Sequence, residues 1–414
     1  MIDWTKSMSR TYEYYIVDPG TWRDKLPLRT VKSSTISRDS EVETLGSATI
    51  DIVESVGECY IRIYLIATQN GETEKIALGT FLVQTPASSF NGKVRSVSLD
   101  AYTPLLELKE NSPPLGYFIP KDENVMDVAY RLTREQLRAP VVPPSSTTNL
   151  FYDYVADTSD TWLTFLSDLV GNAEYEFDLD EMGRILFAPK QDIASLQPVW
   201  TYTDDNSSIL HPDFSMDHDL YGIPNVVEVT FSTNNECYFA RVVNNDPNSP
   251  TSTIKRGRKI TYRVANPDIL GNNLVKEPIY YEVSATPHST YDMNGNTIKT
   301  ADVPTELDPV PDTFTETGRH QIYNGGPSGY YCVIYGTPQL TEYAERLLDE
   351  LSSIEYTVTY THGYCPVRVG DCVRLNYKRA GLTDIKARVI SQSISCTPDC
   401  PVTEKAVFTT KLWR

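Results

Sequence analysis

Histidine and cysteine are scarce in this 414-residue chain, at five and seven residues. The histidines are His211, His218, His288, His320 and His362. A nucleophilic triad needs one of them beside a serine or cysteine, and no pattern sets one there; surface or loop positions are expected of them. The thiols are Cys59, Cys237, Cys332, Cys365, Cys372, Cys396 and Cys400. Odd in number and thinly spread, they make no disulfide framework and read as reduced, small buried apolar groups of a protein assembled in the cytosol. No run approaches the roughly 18 consecutive apolar residues of a membrane span. The start, Met1-Ile2-Asp3-Trp4-Thr5-Lys6, lacks the apolar stretch of a secretory signal. Phosphate-loop, dinucleotide, nucleophile-elbow and H-E-x-x-H signatures are all missing. Positive charge is in deficit too: 37 basic against 55 acidic residues give a net charge of −18. A protein that grips nucleic-acid phosphates needs a basic surface, so the balance argues against one, though not against a protein that repels them.

What is present points to β structure. The chain is 40% hydrophobic, too apolar for disorder, and long enough for two or three cores. Its 27 tyrosines against 12 phenylalanines suit pleated, half-wet faces. Strands are expected over 28–37, at Ala48, Ile50 and Ile52, and at Ile61, Ile63 and Leu65, each alternating with polar or aromatic neighbours. Hairpin turns are expected at Asn70-Gly71, before a strand over 76–84, and at Asn91-Gly92, before one over 93–102, with a short helix over 103–110. The period then changes. Asp122 is positioned to cap a helix carrying Val125, Val128, Ala129 and Leu132. A second helix carries Trp162, Phe165, Leu166 and Leu169 and stops at Gly171; a hairpin turning at Glu181-Met182-Gly183 follows. After Pro198 the β pattern returns, with Val227, Val229 and Phe231 facing one way and Glu228, Thr230 and Ser232 the other. Residues 244–330 are rich in Pro, Asn, Gly and Thr, with an acidic stretch at Asp302, Glu306, Asp308, Asp312 and Glu316, and read as an irregular excursion. A helix from Thr337-Pro338 buries Leu340, Tyr343, Ala344, Leu347 and Leu351, and four strands follow over 355–361, 371–377, 384–395 and 402–413. The chain thus holds two β-rich bodies, each with a helix, separated by an α/β insert.

Three clusters invite chemistry. His362, Cys365, Cys372, Cys396 and Cys400 fall within 39 residues, but the C-x6-C and C-x3-C gaps are not the tight knuckles of zinc sites. Buried thiols fit better, and a Cys396–Cys400 disulfide across Pro398 is an alternative. Asp178, Asp180 and Glu181 surround one turn, and Asp217 and Asp219 flank His218; a glycosidase needs such pairs, but so acidic a chain places acids at turns by chance. The basic cluster Lys255, Arg256, Arg258, Lys259 and Arg263 suits a phosphate, a solvated hairpin or an acidic neighbour.

Several stretches resemble the phage baseplate hub proteins. Residues Arg29 to Asp39 and Thr44 to Ile50 resemble the strand, short acidic loop and strand that open the family's first tube-like barrel. Asp219-Leu220-Tyr221-Gly222-Ile223-Pro224-Asn225-Val226-Val227-Glu228-Val229 resembles the start of the second barrel. Val369 to Leu375, Ala387 to Ile394 and Thr410 to Trp413 resemble its closing strands. Residues 244–330 match nothing in that pattern.

The resemblance implies a mainly β fold with two tube-like antiparallel β-barrel domains, at 1–110 and at 201–245 with 330–414. A small α/β domain lies at 111–200 and an irregular insertion at 246–329. It implies a homotrimer forming a pseudo-sixfold ring in the virion baseplate, assembled in the host cytoplasm. That ring would join the tail tube or distal tail ring protein to the central spike protein. It would enclose a channel for the tape-measure protein and for DNA passing without specific binding. No catalytic residue, metal or cofactor is expected, and no membrane-spanning segment. Strand alternation alone nominates Asp51, Asp100, Glu228, Thr230, Glu355 and Thr357 as lumen-facing. A tail-tip protein that binds or cleaves polysaccharide, and another tail ring such as a distal tail or tube protein, are the competing readings.

Overall fold

Period-two alternation builds the first seven strands: β1 (Ser9–Asp18), β2 (Arg23–Pro27), β3 (Val31–Asp39), β4 (Gly46–Ile52), β5 (Tyr60–Gln69), β6 (Glu72–Phe90) and β7 (Arg95–Tyr102). The computed structural model describes residues 2–265 apart from 54–55, 91, 93–94, 151, 192, 206–207, 219 and 233–236. It also describes 338–413 and, within 266–337, residues 277–280, 290–291, 297–298, 322–324 and 330–336. At the first expected hairpin Asn70 and Gly71 take φ of 50° and 84°, and Gln69 pairs with Glu72 across this two-residue turn. Asn91 of the second lies outside the described residues. Ile36, Ala48, Ile50, Ile52, Leu99 and Ala101 fall on the inner face of β3, β4 and β7 and build one core with Ile61, Ile63 and Leu65. A one-turn helix, α1 (Leu106–Lys109), ends this run.

The insert follows: β8 (Phe118–Ile119), α2 (Val125–Gln136), β9 (Tyr154–Val155), α3 (Trp162–Gly171), and the hairpin β10 (Tyr175–Leu179) with β11 (Ile185–Pro189). Its core is the stripe expected from the sequence, with Val125, Val128, Ala129 and Leu132 of α2 against Trp162, Phe165, Leu166 and Leu169 of α3. The cap differs from expectation. Asn124, not Asp122, closes α2, its Oδ1 accepting from the amides of Met126 and Asp127, each at 3.0 Å. Asp122 lies two residues further out, at φ 68°.

The chain then forms β12 (Trp200–Thr203) and β13 (Leu210–His218), and later returns to this sheet in four closing strands. In between lie β14 (Val226–Ser232), β15 (Cys237–Val243), the short α4 (Thr253–Arg256), β16 (Thr261–Ala265), β17 (Glu277–Tyr280), β18 (Thr290–Tyr291), β19 (Thr297–Ile298), β20 (Ile322–Asn324), β21 (Tyr330–Gly336) and α5 (Pro338–Leu351). The closing strands are β22 (Ser353–Gly363), β23 (Cys372–Asn376), β24 (Ile385–Ser395) and β25 (Pro401–Lys411). One 13-stranded sheet runs β13-β22-β25-β24-β3-β4-β7-β6-β5-β1-β2, with β23 against β24 and β12 against β23. The β3–β24 pairing, from Asp39 opposite Ser391 to Thr35 opposite Ser395, joins the N-terminal and C-terminal strands into one sheet. A second core lies under the C-terminal strands, with Val358, Tyr360, Val373, Leu375, Val389 and Ala406. The fold is mainly β, with large antiparallel sheets.

Two compact units result: 1–217 with 356–408, and 218–355 with 409–414. This division differs from the expected one. The strands over 226–243 group with α5 and the last residues, whereas 210–217 and 356–408 group with residues 1–200. The reason is where apolar faces find cover. In the second unit Val227 and Val229 of β14 and Ala240 and Val242 of β15 pack on Leu340, Ala344 and Leu348 of α5. Leu348 replaces Leu351 at the centre of that face, because steps of four residues keep one side of a helix turned to one sheet.

Candidate functional site

On β3, β4 and β7 of the large sheet every second residue points away from the core. On β3 these are Ser33, Thr35 and Ser37; on β4, Ser47, Thr49 and Asp51; on β7, Ser96, Ser98 and Asp100. The register sets them side by side: Ser33 faces Asp51, Thr35 faces Thr49, and Thr49 faces Asp100 on the far side. Through β3 the pattern crosses to β24, where Ser37 pairs with Ser393 and Thr35 with Ser395, and Ser393 pairs with Thr403 of β25. Thr403 Oγ1 lies 3.1 Å from Thr361 Oγ1 of β22. A face dominated by small hydroxyls and carboxylates, with the exposed Lys405 opposite Ser391, therefore runs from the N-terminal strands to the C-terminal ones. Cross-strand hydroxyl pairs stabilise it without adding bulk.

Four of the six nominated residues stand on this face. Asp51 is half-buried and accepts from Ser33 Oγ at 2.8 Å; Asp100 is exposed. Thr357 and Glu355 share the parity of Thr361 on β22 and are half-buried and exposed. The other two stand on β14. Glu228 is buried, its Oε1 accepting from Arg241 Nε at 2.9 Å and its Oε2 from Arg263 Nε at 2.7 Å. Burial opposes its ionisation, but the two guanidiniums win and hold its carboxyl below the usual range. Its charge is matched internally, so Glu228 is a structural acid. Thr230 is half-buried, with Oγ1 donating to Val264 O at 3.4 Å.

Beneath the face lies a network that the sequence reading missed. Glu404, fully buried on β25, accepts from Tyr360, from Gln392 Nε2 at 2.8 Å and from His362 Nε2 at 3.3 Å. His362 Nδ1 donates to Gly363 O at 2.7 Å, which leaves Nε2 to face the Glu404 carboxylate and Tyr202. Tyr202 OH lies 3.1 Å from His362 Nε2 and 3.3 Å from Cys365 Sγ. Burial alone would lower the His362 pKa; contact with Cys365 and the Glu404 carboxylate reverse that and raise it to about 10. Far from a surface or loop position, His362 is core. A sequence signal existed: His362 shares its strand face with Tyr360 and Tyr364, and Glu404 with Val402 and Ala406, all inward.

Arginines of the β body grip the insert hairpin. Arg62, 1% exposed, donates to Thr80 Oγ1 at 2.9 Å, Asp24 Oδ1 at 2.8 Å and Met182 O at 3.1 Å. Arg368 pairs with Glu181 at 2.7 Å, and Arg388 with Glu176 at 2.5 Å. A cavity of about 660 Å³, lined in part by Arg38, Asp178, Glu181, Arg368 and Asp371, lies along this seam. Burial raises the carboxyls of Asp178 and Asp371, against Arg368. Asp180 is taken by Arg184 at 2.5 Å. The acids weighed at this turn thus serve docking and turn geometry.

Cys365, Cys372, Cys396 and Cys400 are buried free thiols, and Cys59 is half-buried. Among the described residues no cluster of three or more metal-ligating side chains is present. Asp217 and His218 are exposed on β13, and Asp219 lies outside the described residues.

Neither a protein-family model nor a curated protein sequence matches the chain. Solved structures do. A tail protein from Neisseria meningitidis MC58 is similar at a TM-score of 0.57 and 12% identity, over 98% of this chain and 98% of that one. The 43 kDa tail protein of prophage MuSo2 from Shewanella oneidensis gives 0.56 and 10%, over 96% and 98%. A chain of the half-lidded Francisella PdpA–VgrG complex gives 0.50 and 8%, over 97% of this chain and 58% of that one. At such identities the likeness is one of fold, and the chain has the tail-protein fold that its resemblance to baseplate hub proteins implied.

Proposed function

We propose that the chain is a structural component of a phage tail, a baseplate hub. Three copies form a pseudo-sixfold ring that joins the tail tube or distal tail ring to the central spike. The ring encloses the channel for the tape-measure protein and then for DNA. The observation that carries this reading is the face rich in hydroxyls and carboxylates, in a chain with the tail-protein fold. Such a wall of hydroxyls and carboxylates, with Lys405 among them opposite Ser391, offers DNA few cations to exchange for its counterions, which is the source of most non-specific binding. Two β bodies per chain, repeated three times, supply six similar positions around a pore.

The large sheet ends on β2 and β13, both mostly exposed. Lys25 and Pro27 guard β2 against random pairing. In the ring, neighbouring copies cover these edges. No helix among the described residues is long and apolar enough to cross a membrane. The protein acts in the virion tail, without a catalytic step.

Light scattering of the purified chain is expected to give three times its 46.7 kDa mass, and particle images a ring with a central hole. A monomer at every concentration, with images lacking a ring at the tail tip, would remove the proposal. The wall chemistry has its own test. Reversing charge with Asp51→Lys and Asp100→Lys together should make the ring retain duplex DNA at about 0.1 M salt, with affinity falling steeply as salt rises. A variant ring that forms normally yet gains no affinity for DNA would show that this face does not line the channel.

A further inference from the structure

We propose that the β8–β9 ribbon of the insert in one copy seats on the α4 corner of a second copy, a head-to-tail contact between neighbouring subunits; the inference rests on the ring reading above. In the ribbon Phe118 and Val155 oppose each other in register and are 54% and 60% exposed. Beside them Leu115, 85% exposed, tops the turn closed by Tyr117 N donating to Pro114 O, with Gly116 at φ 75°. Ile119 and Tyr154 face the insert core, which holds the ribbon with its apolar side outward. Apolar side chains gathered this way on a surface mark a place that something covers. The rim is acidic: Asp122, Glu123, Asp153 and Asp157 are exposed there, against Lys121. Over 111–200 the insert carries six basic and fourteen acidic residues, a net of −8.

The α4 corner has the opposite rim. Ile254 is 60% and Tyr262 45% exposed, and Lys255, Arg258 and Lys259 are exposed around them. This is the basic cluster that stands out in the acidic sequence. The corner is preformed. Arg256 donates to Ile223 O at 2.7 Å and Leu220 O at 3.1 Å. The Asn225 amide donates to Thr251 O at 3.1 Å and Arg258 O at 3.0 Å, while its Oδ1 accepts from Ile260 N at 2.7 Å. A surface pinned this way loses little freedom on binding. An apolar centre with an acidic rim complements an apolar centre with a basic one, and so favours a second copy of this chain over another acidic surface. Because the two surfaces differ, the contact is head-to-tail, the kind that closes into rings.

The test uses the full chain and two exposed-site variants, Phe118→Asp and Ile254→Asp, with circular dichroism confirming that both fold. Self-association of each alone is expected to weaken by roughly tenfold or more, since an aspartate is then buried against an apolar centre. Mixing the two gives a one-to-one heterodimer and no trimer, because the ribbon of Ile254→Asp meets the corner of Phe118→Asp intact while the pair's other two surfaces are both broken. If both variants form the wild-type trimer undiminished, the ring stands and this contact is overturned. If the wild type forms open chains or dimers that both variants lose, the contact stands and the threefold ring is overturned. Loss in Phe118→Asp alone, no heterodimer on mixing, or a wild type that never associates each overturns the pairing.

Discussion

Replacing Glu404 with alanine is expected to lower the unfolding free energy by about 3–5 kcal/mol, the cost of removing one partner of a buried ion pair. The size follows from what is left behind. The His362 imidazolium, the Tyr360 hydroxyl and the Gln392 amide all donate to this carboxylate, and all are buried. Urea denaturation reads the effect directly; a loss under about 1 kcal/mol would mean that water or a repacked neighbour satisfies those donors.

The same pair sets a pH dependence whose sign is fixed. His362 has a folded pKa raised to about 10, above its ordinary 6.5. A raised pKa contributes stability that is fully present below the unfolded value and is lost as pH rises through the folded one. Stability should therefore decline from about pH 6.5 to about pH 10. The phenols of Tyr202 and Tyr360, raised well above their ordinary value first by burial, stay protonated across that window. In Glu404→Gln the counter-charge is gone, only Cys365 still opposes the lowering of the imidazole pKa by burial, and the decline should flatten. An equal slope in wild type and Glu404→Gln would assign it to other groups.

Arg62→Met should cost about 3 kcal/mol and free the insert hairpin from the β body. The value sits at the low end because the abandoned Asp24 is partly exposed and can hydrate. Gly183→Ala tests the same docking from the other side. Gly183 sits at φ 73°, and a Cβ there would lie 2.7 Å from Thr80 Cβ. Gly222→Ala is the control, at φ 75° with nothing within 4 Å, so it carries backbone strain alone. Hydrogen exchange of 175–189 should rise in Arg62→Met and Gly183→Ala but not in Gly222→Ala. Unchanged exchange in all three would mean that the remaining arginine pairs suffice to hold the hairpin.

Wherever one physical preference acted alone, the amino-acid order was enough. Period-two runs marked β3, β4, β5 and β24, the Asn70-Gly71 pair placed a hairpin turn that needs two positive φ values, and i, i+3, i+4 spacing marked α2 and α3. That Asp51, Asp100, Glu355 and Thr357 point away from the cores followed from the same alternation, because one slip of register would move every side chain to the wrong face. Partners distant in sequence were another matter. Arg62 reads as an outward residue on β5, and becomes buried because a turn 120 residues later covers it. Glu228 reads as an exposed acid until Arg241 and Arg263 arrive from adjacent strands. The pairing of β3 with β24, and the grouping of β14 and β15 with α5, depend on which apolar faces meet. That choice is settled by packing over hundreds of residues, which no local pattern records.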